Sequence, residues 1–232
     1  MDLFSGLGVI WGFQEVCLLC NMDWFHGFNC SLLLGVLVFV ALLFCLLIFE
    51  GYFFKYKEME YQFGELLCSI FPTLILLMQM VPSLGILYYY GLMNLDSDLT
   101  VKVVGHQWYW SYEFGDIPGL EFDSYMKSSD QLELGEPRLL EVDNRCVLPE
   151  GVNVRFCITS GDVIHSWALP SMAVKLDAMS GILSILNYSF FNLGVFYGQC
   201  SEICGANHSF MPIAVEVTLL ENFKGWCSVN MD

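Results

Sequence analysis

Between Cys30 and Phe49 the chain reads CSLLLGVLVFVALLFCLLIF, twenty residues without a charge. A helix of that length rises about 30 Å, the thickness of bilayer hydrocarbon. A second uncharged run extends from Leu66 to Leu95, between Glu65 and Asp96. It carries Pro72 and Pro82, and its aromatic end at Tyr88, Tyr89 and Tyr90 suits a membrane interface. A soluble chain of 232 residues has no interior large enough to hide both runs. The pattern predicts a two-helix transmembrane hairpin over 29–95, preceded by a short outer segment over 1–28.

The N-terminal region holds Asp2, Glu15 and Asp23, with no basic residue before Lys55. It therefore lacks the positive stretch of a secretory signal and the arginines of an import presequence. Lys55 and Lys57 are the only basic residues near the two runs. Their excess puts the connecting loop, about 50–65, on the inner side, and everything after residue 96 on the outer side. A content of 56% hydrophobic and 15% charged residues excludes a disordered chain. A net charge of -16 excludes a nucleic-acid binder, which needs lysine and arginine against phosphate. The acidic surplus points instead to a basic partner or to metal ligation.

From 96 to 232 the texture changes. This part holds 18 of the 25 acidic residues and seven of the nine basic ones. Strands are expected at Leu99–Val104, His106–Phe114, Leu139–Val142, Val154–Thr159, Ser166–Leu169, Gly194–Gly198 and Ile213–Leu220. Turn signals fall at 117–119, 135–137, 149–151 and 160–162. Short strands without a long amphipathic helix predict an all-β sandwich or barrel.

Ten cysteines are present. Cys30, Cys45 and Cys68 lie in or near the apolar runs and read as small hydrophobes, and Cys157, inside VRFCITS, reads as core. Cys17-x-x-Cys20 has redox-pair spacing but no histidine follows it. The stretch YGQCSEICGANHSFMP is different: it gathers Cys200, Cys204, His208 and Met211 within twelve residues. Thiolates with imidazole select copper or zinc, and a thioether tilts the choice to copper. Two thiolates can bridge two coppers, each then needing its own imidazole. Of the four histidines, His165 in DVIHSW is the second candidate, at an expected strand edge. A Cys200–Cys204 disulfide and a zinc site from Cys200, Cys204, His208 and His165 remain open at this point, although neither uses Met211.

The segments GHQWYWSYEF (105–114), FDSYM (122–126), RLLEVDNR (138–145), DVIHSWALPS (162–171), KLDAMSG (175–181) and YGQCSEICGANHSFMP (197–212) resemble the cytochrome c oxidase subunit 2 family. The resemblance runs over nearly the whole chain from the first apolar run onward. It implies a cupredoxin-like β-barrel behind the hairpin and a binuclear copper centre, CuA. The implied ligands are His165, Cys200, Cys204, His208, Met211 and the carbonyl of Glu202. The Glu202 side chain would reach a magnesium ion shared with subunit 1. Trp108 would take electrons from cytochrome c, and Glu113, Asp143 and Asp162 would form the docking surface for that basic partner. Glu65 matches a glutamate at the mouth of a proton channel. The chain would sit in the mitochondrial inner membrane with subunits 1 and 3 and accessory subunits, its outer domain in the intermembrane space and the loop in the matrix.

Two positions depart from the resembled pattern. Gly85 and Ile182 stand where the family commonly has arginine, so no salt bridge is carried over from either. The expected activity is electron acceptance from cytochrome c, feeding a haem-copper subunit that reduces oxygen to water with proton translocation. The alternatives are a copper-free structural subunit of a quinol oxidase and the electron-accepting module of a nitrous-oxide-reductase-like enzyme. Retention of both cysteines disfavours the first, and the two apolar runs disfavour the second.

Overall fold

The structure, a computed structural model, describes residues 18–53, 60–91 and 96–231. Cys17, Lys55, Lys57 and the side chains of Cys20 and Tyr90 lie outside the described residues. The chain divides into two compact units, Met1–Met93 and Asn94–Asp232.

The first unit is a pair of helices, α1 (Leu18–Phe53) and α2 (Gln62–Gly91). Both are long and apolar enough to cross a membrane, with mean hydropathy reaching 3.3 in an 18-residue stretch within Asn21–Gly51 and 1.9 in one within Gln62–Tyr89. Leu33, Leu37, Phe39, Leu42 and Phe44 are all exposed, so α1 shows apolar side chains on every face. A helix without a polar face is at home in lipid, not water. Helix α1 starts well before the uncharged run and includes Asp23 and His26, so residues 18–28 are helical. Phe25, Asn29 and Leu33 of α1 share a groove with Leu76, Gln79, Met80 and Ser83 of α2. Helix α2 continues through Pro72 and Pro82. Proline removes one ladder bond each time. Near the first, the hydroxyls of Ser69 and Thr73 bond back to the carbonyls of Glu65 (3.0 Å) and Ser69 (2.9 Å).

The second unit is a β-sandwich. Its strands are β1 (Leu99–His106), β2 (Tyr109–Phe114), β3 (Glu121–Ser124), β4 (Cys146–Pro149), β5 (Asn153–Ser160), β6 (His165–Leu169), β7 (Val174–Ala178), β8 (Ser184–Ser189), β9 (Gly194–Gln199) and β10 (Pro212–Thr218), followed by helix α3 (Leu220–Asn230). One sheet has the order β3-β2-β1-β5-β8, a second β4-β10-β9, and β6 pairs with β7. Strand β1 runs parallel to β5 and antiparallel to β2. Alternation along β1 and β5 sends Val101, Val103, Val154, Phe156 and Ile158 into the core, where Trp110, Trp167 and Ile213 meet them. Each such side chain contributes about 1.5–3 kcal/mol on burial. The Trp167 indole N–H donates to the Tyr112 hydroxyl at 3.3 Å, so even the polar edge of this core is satisfied.

Four expectations change. The aromatic stretch HQWYWSYEF is not one strand: β1 ends at His106, Gln107 and Trp108 form a tight turn, and β2 begins at Tyr109. Residues 139–142 are not a strand. Leu139 adopts a left-handed φ of 70° and only Val142 makes a bridge, to Met126. The cause is Glu141, turned inward at 1% exposure and held bidentately by Arg145 at 2.8 and 2.9 Å, with the Tyr197 hydroxyl donating to it at 2.6 Å. Cys157 faces away from the core, because it is out of phase with Phe156 and Ile158 on β5. Finally, α3 ends the domain where the last strand was expected to continue, packing Phe223 and Trp226 against Phe114 and Phe122.

Candidate metal centre

Antiparallel pairing of β9 with β10 puts Gln199 opposite Pro212, so residues 200–211 are the loop of a hairpin. The Cys200 N–H donates to the Met211 carbonyl at 3.4 Å and closes its neck. Inside, Gly205 takes a φ of 125°, which side chains rarely tolerate, and His208–Phe210 form a single 3-10 turn. The Ser201 N–H donates to the Ser166 carbonyl at 3.0 Å and ties the loop to β6. His165, the first residue of β6, is thereby brought beside Cys200, 35 residues away.

The donor atoms form one chain. The Cys200 and Cys204 sulfurs are 3.9 Å apart. His165 Nδ1 is 3.9 Å from the Cys200 sulfur, and His208 Nδ1 is 3.6 Å from the Cys204 sulfur. The Met211 thioether is 3.5 Å from Cys204, and the Glu202 carbonyl is 3.4 Å from Cys200. Each thiol thus has its own imidazole and one weaker donor. The donor atoms of His165, Cys200 and Cys204 lie within 4.8 Å of one another, and all three residues are buried. The sulfurs are unbonded, which sets the disulfide aside in this structure. Soft sulfur donors with imidazole at such mutual distances fit copper.

The surroundings orient the ligands. Asp162 Oδ1 accepts from His165 Nε2 at 2.8 Å, which leaves Nδ1 facing the sulfur. Asp162 also accepts the backbone N–H groups of Gln107 (2.7 Å) and Val163 (2.6 Å). Trp110 packs edge-on against the His165 ring, with centroids 5.8 Å apart, and its indole N–H donates to the Met211 carbonyl at 3.4 Å. Gly105 makes that packing possible, since a Cβ there would lie 2.9 Å from the imidazole and 3.0 Å from Trp110. Burial opposes ionisation of the Cys200 thiol, but the His165 imidazole and nearby backbone groups outweigh it and hold the thiol down to about 6. Burial, then the Cys200 charge, pushes Cys204 up to about 12. Burial alone would lower His165, but Cys200 and Asp162 raise it above its ordinary value.

Of the remaining expected residues, Trp108 sits at the β1–β2 turn, half-buried, where a Cβ on Gly205 would come within 3.2 Å of its ring. The Glu202 side chain is exposed. Glu113 is exposed and paired with Lys102 at 2.6 Å. Asp143 caps a turn, accepting the N–H groups of Tyr125 (2.8 Å) and Asn144 (2.7 Å). Asp162 is committed to His165, so of the three acids proposed for docking it is the one with a role inside the site. Glu65 is exposed in the first turn of α2. The spacing of residues gave no sign of Asp162 as an orienting group, or of Gln107.

Two apolar helices and a β-sandwich with a buried two-thiol, imidazole and thioether cluster define a membrane protein with an external domain of the cupredoxin class. The family model described as "Cytochrome C oxidase subunit II, periplasmic domain" matches residues 99–218. The chain belongs to the cytochrome c oxidase subunit 2 family. It is 74% identical to the Caenorhabditis elegans cytochrome c oxidase subunit 2 over 231 residues, covering 100% of this chain and 99% of the relative. It is 80% identical to the Ascaris suum protein of the same name over 206 residues, 89% of each. The crystal structure of the periplasmic domain of subunit II from Bradyrhizobium japonicum shares 45% identity and a TM-score of 0.55, covering 60% of this chain and 96% of that one.

Proposed function

We propose that this subunit accepts electrons from cytochrome c at a binuclear copper centre and passes them to the haem-copper subunit of the same oxidase. The observation that carries the reading is the paired symmetry of the donors, with two thiols 3.9 Å apart and an imidazole on each. His165, Cys200, Cys204, His208, Met211 and the Glu202 carbonyl would hold the metal. A pair of copper ions held there would supply a one-electron acceptor that needs little rearrangement on reduction. The protein's part is to exclude water, to fix the imidazoles through Asp162 and Trp110, and to offer a surface contact. Trp108 is that contact, because its ring lies on the ligand loop at Gly205 and reaches the surface at a hairpin tip. Glu113 and Asp143 supply negative charge for a basic partner. The exposed Glu202 side chain is free to reach a magnesium ion shared with subunit 1.

The same reading places the chain in the mitochondrial inner membrane with subunits 1 and 3, the sandwich in the intermembrane space and the 50–65 loop in the matrix. Glu65 then stands at the inner face, where a carboxylate is costly unless used or solvated. Glu65→Gln should slow turnover of the oxidase and leave reduction of the copper centre by cytochrome c unchanged. Equal turnover would remove that role. The function itself is tested by metal analysis and electron paramagnetic resonance of the purified chain. Two coppers, with one unpaired electron shared equally in the half-oxidised state, are expected. One copper nucleus, or one equivalent of zinc, would overturn the reading.

A further inference from the structure

Gln107 touches both halves of the ligand set without holding metal. Its backbone N–H donates to Asp162 Oδ2 at 2.7 Å, and the other oxygen of that carboxylate holds His165 Nε2 at 2.8 Å. Its side-chain amide donates to the carbonyl of Cys204 at 2.7 Å, across 97 residues of sequence. The first contact steadies the arm that carries His165. The second steadies the loop that carries Cys200, Cys204, His208 and Met211. Space for the amide depends on the loop's one strained position, since a Cβ at Gly205 would lie 3.1 Å from Gln107 Nε2. The loop and the turn are thus shaped to each other.

We propose that Gln107 is a positioning residue that braces the Cys204 end of the ligand loop against the β1–β2 turn and so fixes the distance between the two ligand-bearing segments. The proposal rests on the copper reading above. It differs from a docking or packing role in what it predicts. An exposed glutamine that only meets a partner, or only fills space, would leave the metal's own properties alone. A brace on the Cys204 carbonyl acts on the Cys204 sulfur, and through it on His208 and Met211.

The substitution Gln107→Leu, one atom shorter, keeps the backbone N–H to Asp162 and removes the amide donor. Gln107→Glu keeps the full length and sets a carboxylate against the Cys204 carbonyl. Losing one partly buried hydrogen bond of ordinary strength should speed copper release to a chelator about three- to tenfold in the Leu variant, and more in the Glu variant. The full-length chain, loaded with copper, serves for both measurements: chelator-driven release, and hyperfine splitting in the half-oxidised state. The expected result is faster release in both variants and unequal coppers in at least one, with wild-type folding by circular dichroism. Wild-type release and wild-type splitting in both variants would overturn the proposal. If the wild-type chain itself bound no copper pair, the copper reading would fail, an outcome distinct from wild-type-like variants.

Discussion

Asp162→Asn should weaken copper binding about 10- to 100-fold while leaving the sandwich folded. The carboxylate uses both oxygens: Oδ1 accepts from His165 Nε2 at 2.8 Å and Oδ2 from the Gln107 N–H at 2.7 Å. Asparagine has the same shape but only one acceptor. Its NH2 must face either the imidazole N–H or the Gln107 N–H, and donor meets donor in either case. One of the two bonds is lost, and His165 loses a charged partner even where its bond survives. A hydrogen bond to a charged group is worth about 1.5–3 kcal/mol, and about 1.4 kcal/mol is tenfold in affinity. Asp162 is one-third exposed, so water can replace part of the loss, and the lower half of the range is expected. The assay is competition for copper against a chelator of known affinity, with circular dichroism as a fold control. An unchanged affinity in the folded variant would refute the reasoning, because the imidazole would then be held by β6 and Trp110 alone. The same variant separates orientation from docking. If Asp162 served only to attract cytochrome c, copper affinity would be untouched and only the salt dependence of reduction would change.

Met211→Leu should keep copper bound but shift its reduction potential, whereas Cys200→Ser should abolish the binuclear signature; complete loss of copper in the Met211 variant, read by metal analysis, would invert the ranking. Neutralising Glu113 and Asp143 together should slow copper reduction by cytochrome c and flatten its salt dependence over Debye lengths near about 8 Å, and neutralising Asp130 and Glu133 should do less; stopped-flow rates across a salt series decide it. Burial opposes ionisation of Glu141, but Arg145, Tyr197 and the Val142 N–H hold its carboxyl below the ordinary 4.5. A carboxyl depressed by folding adds stability that is complete above its unfolded value and disappears as pH falls through the folded one. The outer domain should therefore lose melting temperature below about pH 4.5. Glu141→Gln should be less stable at neutral pH and flatter over that window, and parallel melting curves would contradict the assignment.

Local patterns and tertiary geometry left different marks on the sequence. The membrane helices were legible because charge is absent over whole spans. Four candidate donors were legible because they share one loop at close spacing. Strands β1, β5 and β10 show two-residue alternation and were found. β4, all buried in CVLP, has no alternation to show, β3 and β8 carry too many polar residues, and β7 alternates but over only five residues. The stretch at 139–142 looked like a strand because leucine and valine flank a glutamate, whose inward turn depends on Arg145 four residues on and on Tyr197 from a distant strand. His165 was legible as the histidine at an expected strand edge, although 35 residues separate it from Cys200. The role of Gln107 arises from hydrogen bonds spanning 55 and 97 residues, which no local spacing announces, whereas Asp162 lies only three residues from the His165 it orients.

The narrow neck of the ligand loop has a consequence for how the subunit is made. Two thiols, an imidazole and a thioether lie within twelve residues, and only His165 must be delivered by a different strand. A chain whose sandwich is still open can already grip an ion weakly, but the full grip requires β6 and the β9–β10 hairpin to meet. Ion capture and closure of the sandwich are then two faces of one equilibrium, each strengthening the other. If copper is that ion, its supply and the meeting of β6 with the 200–211 loop are linked by this one equilibrium, and each would report on the other.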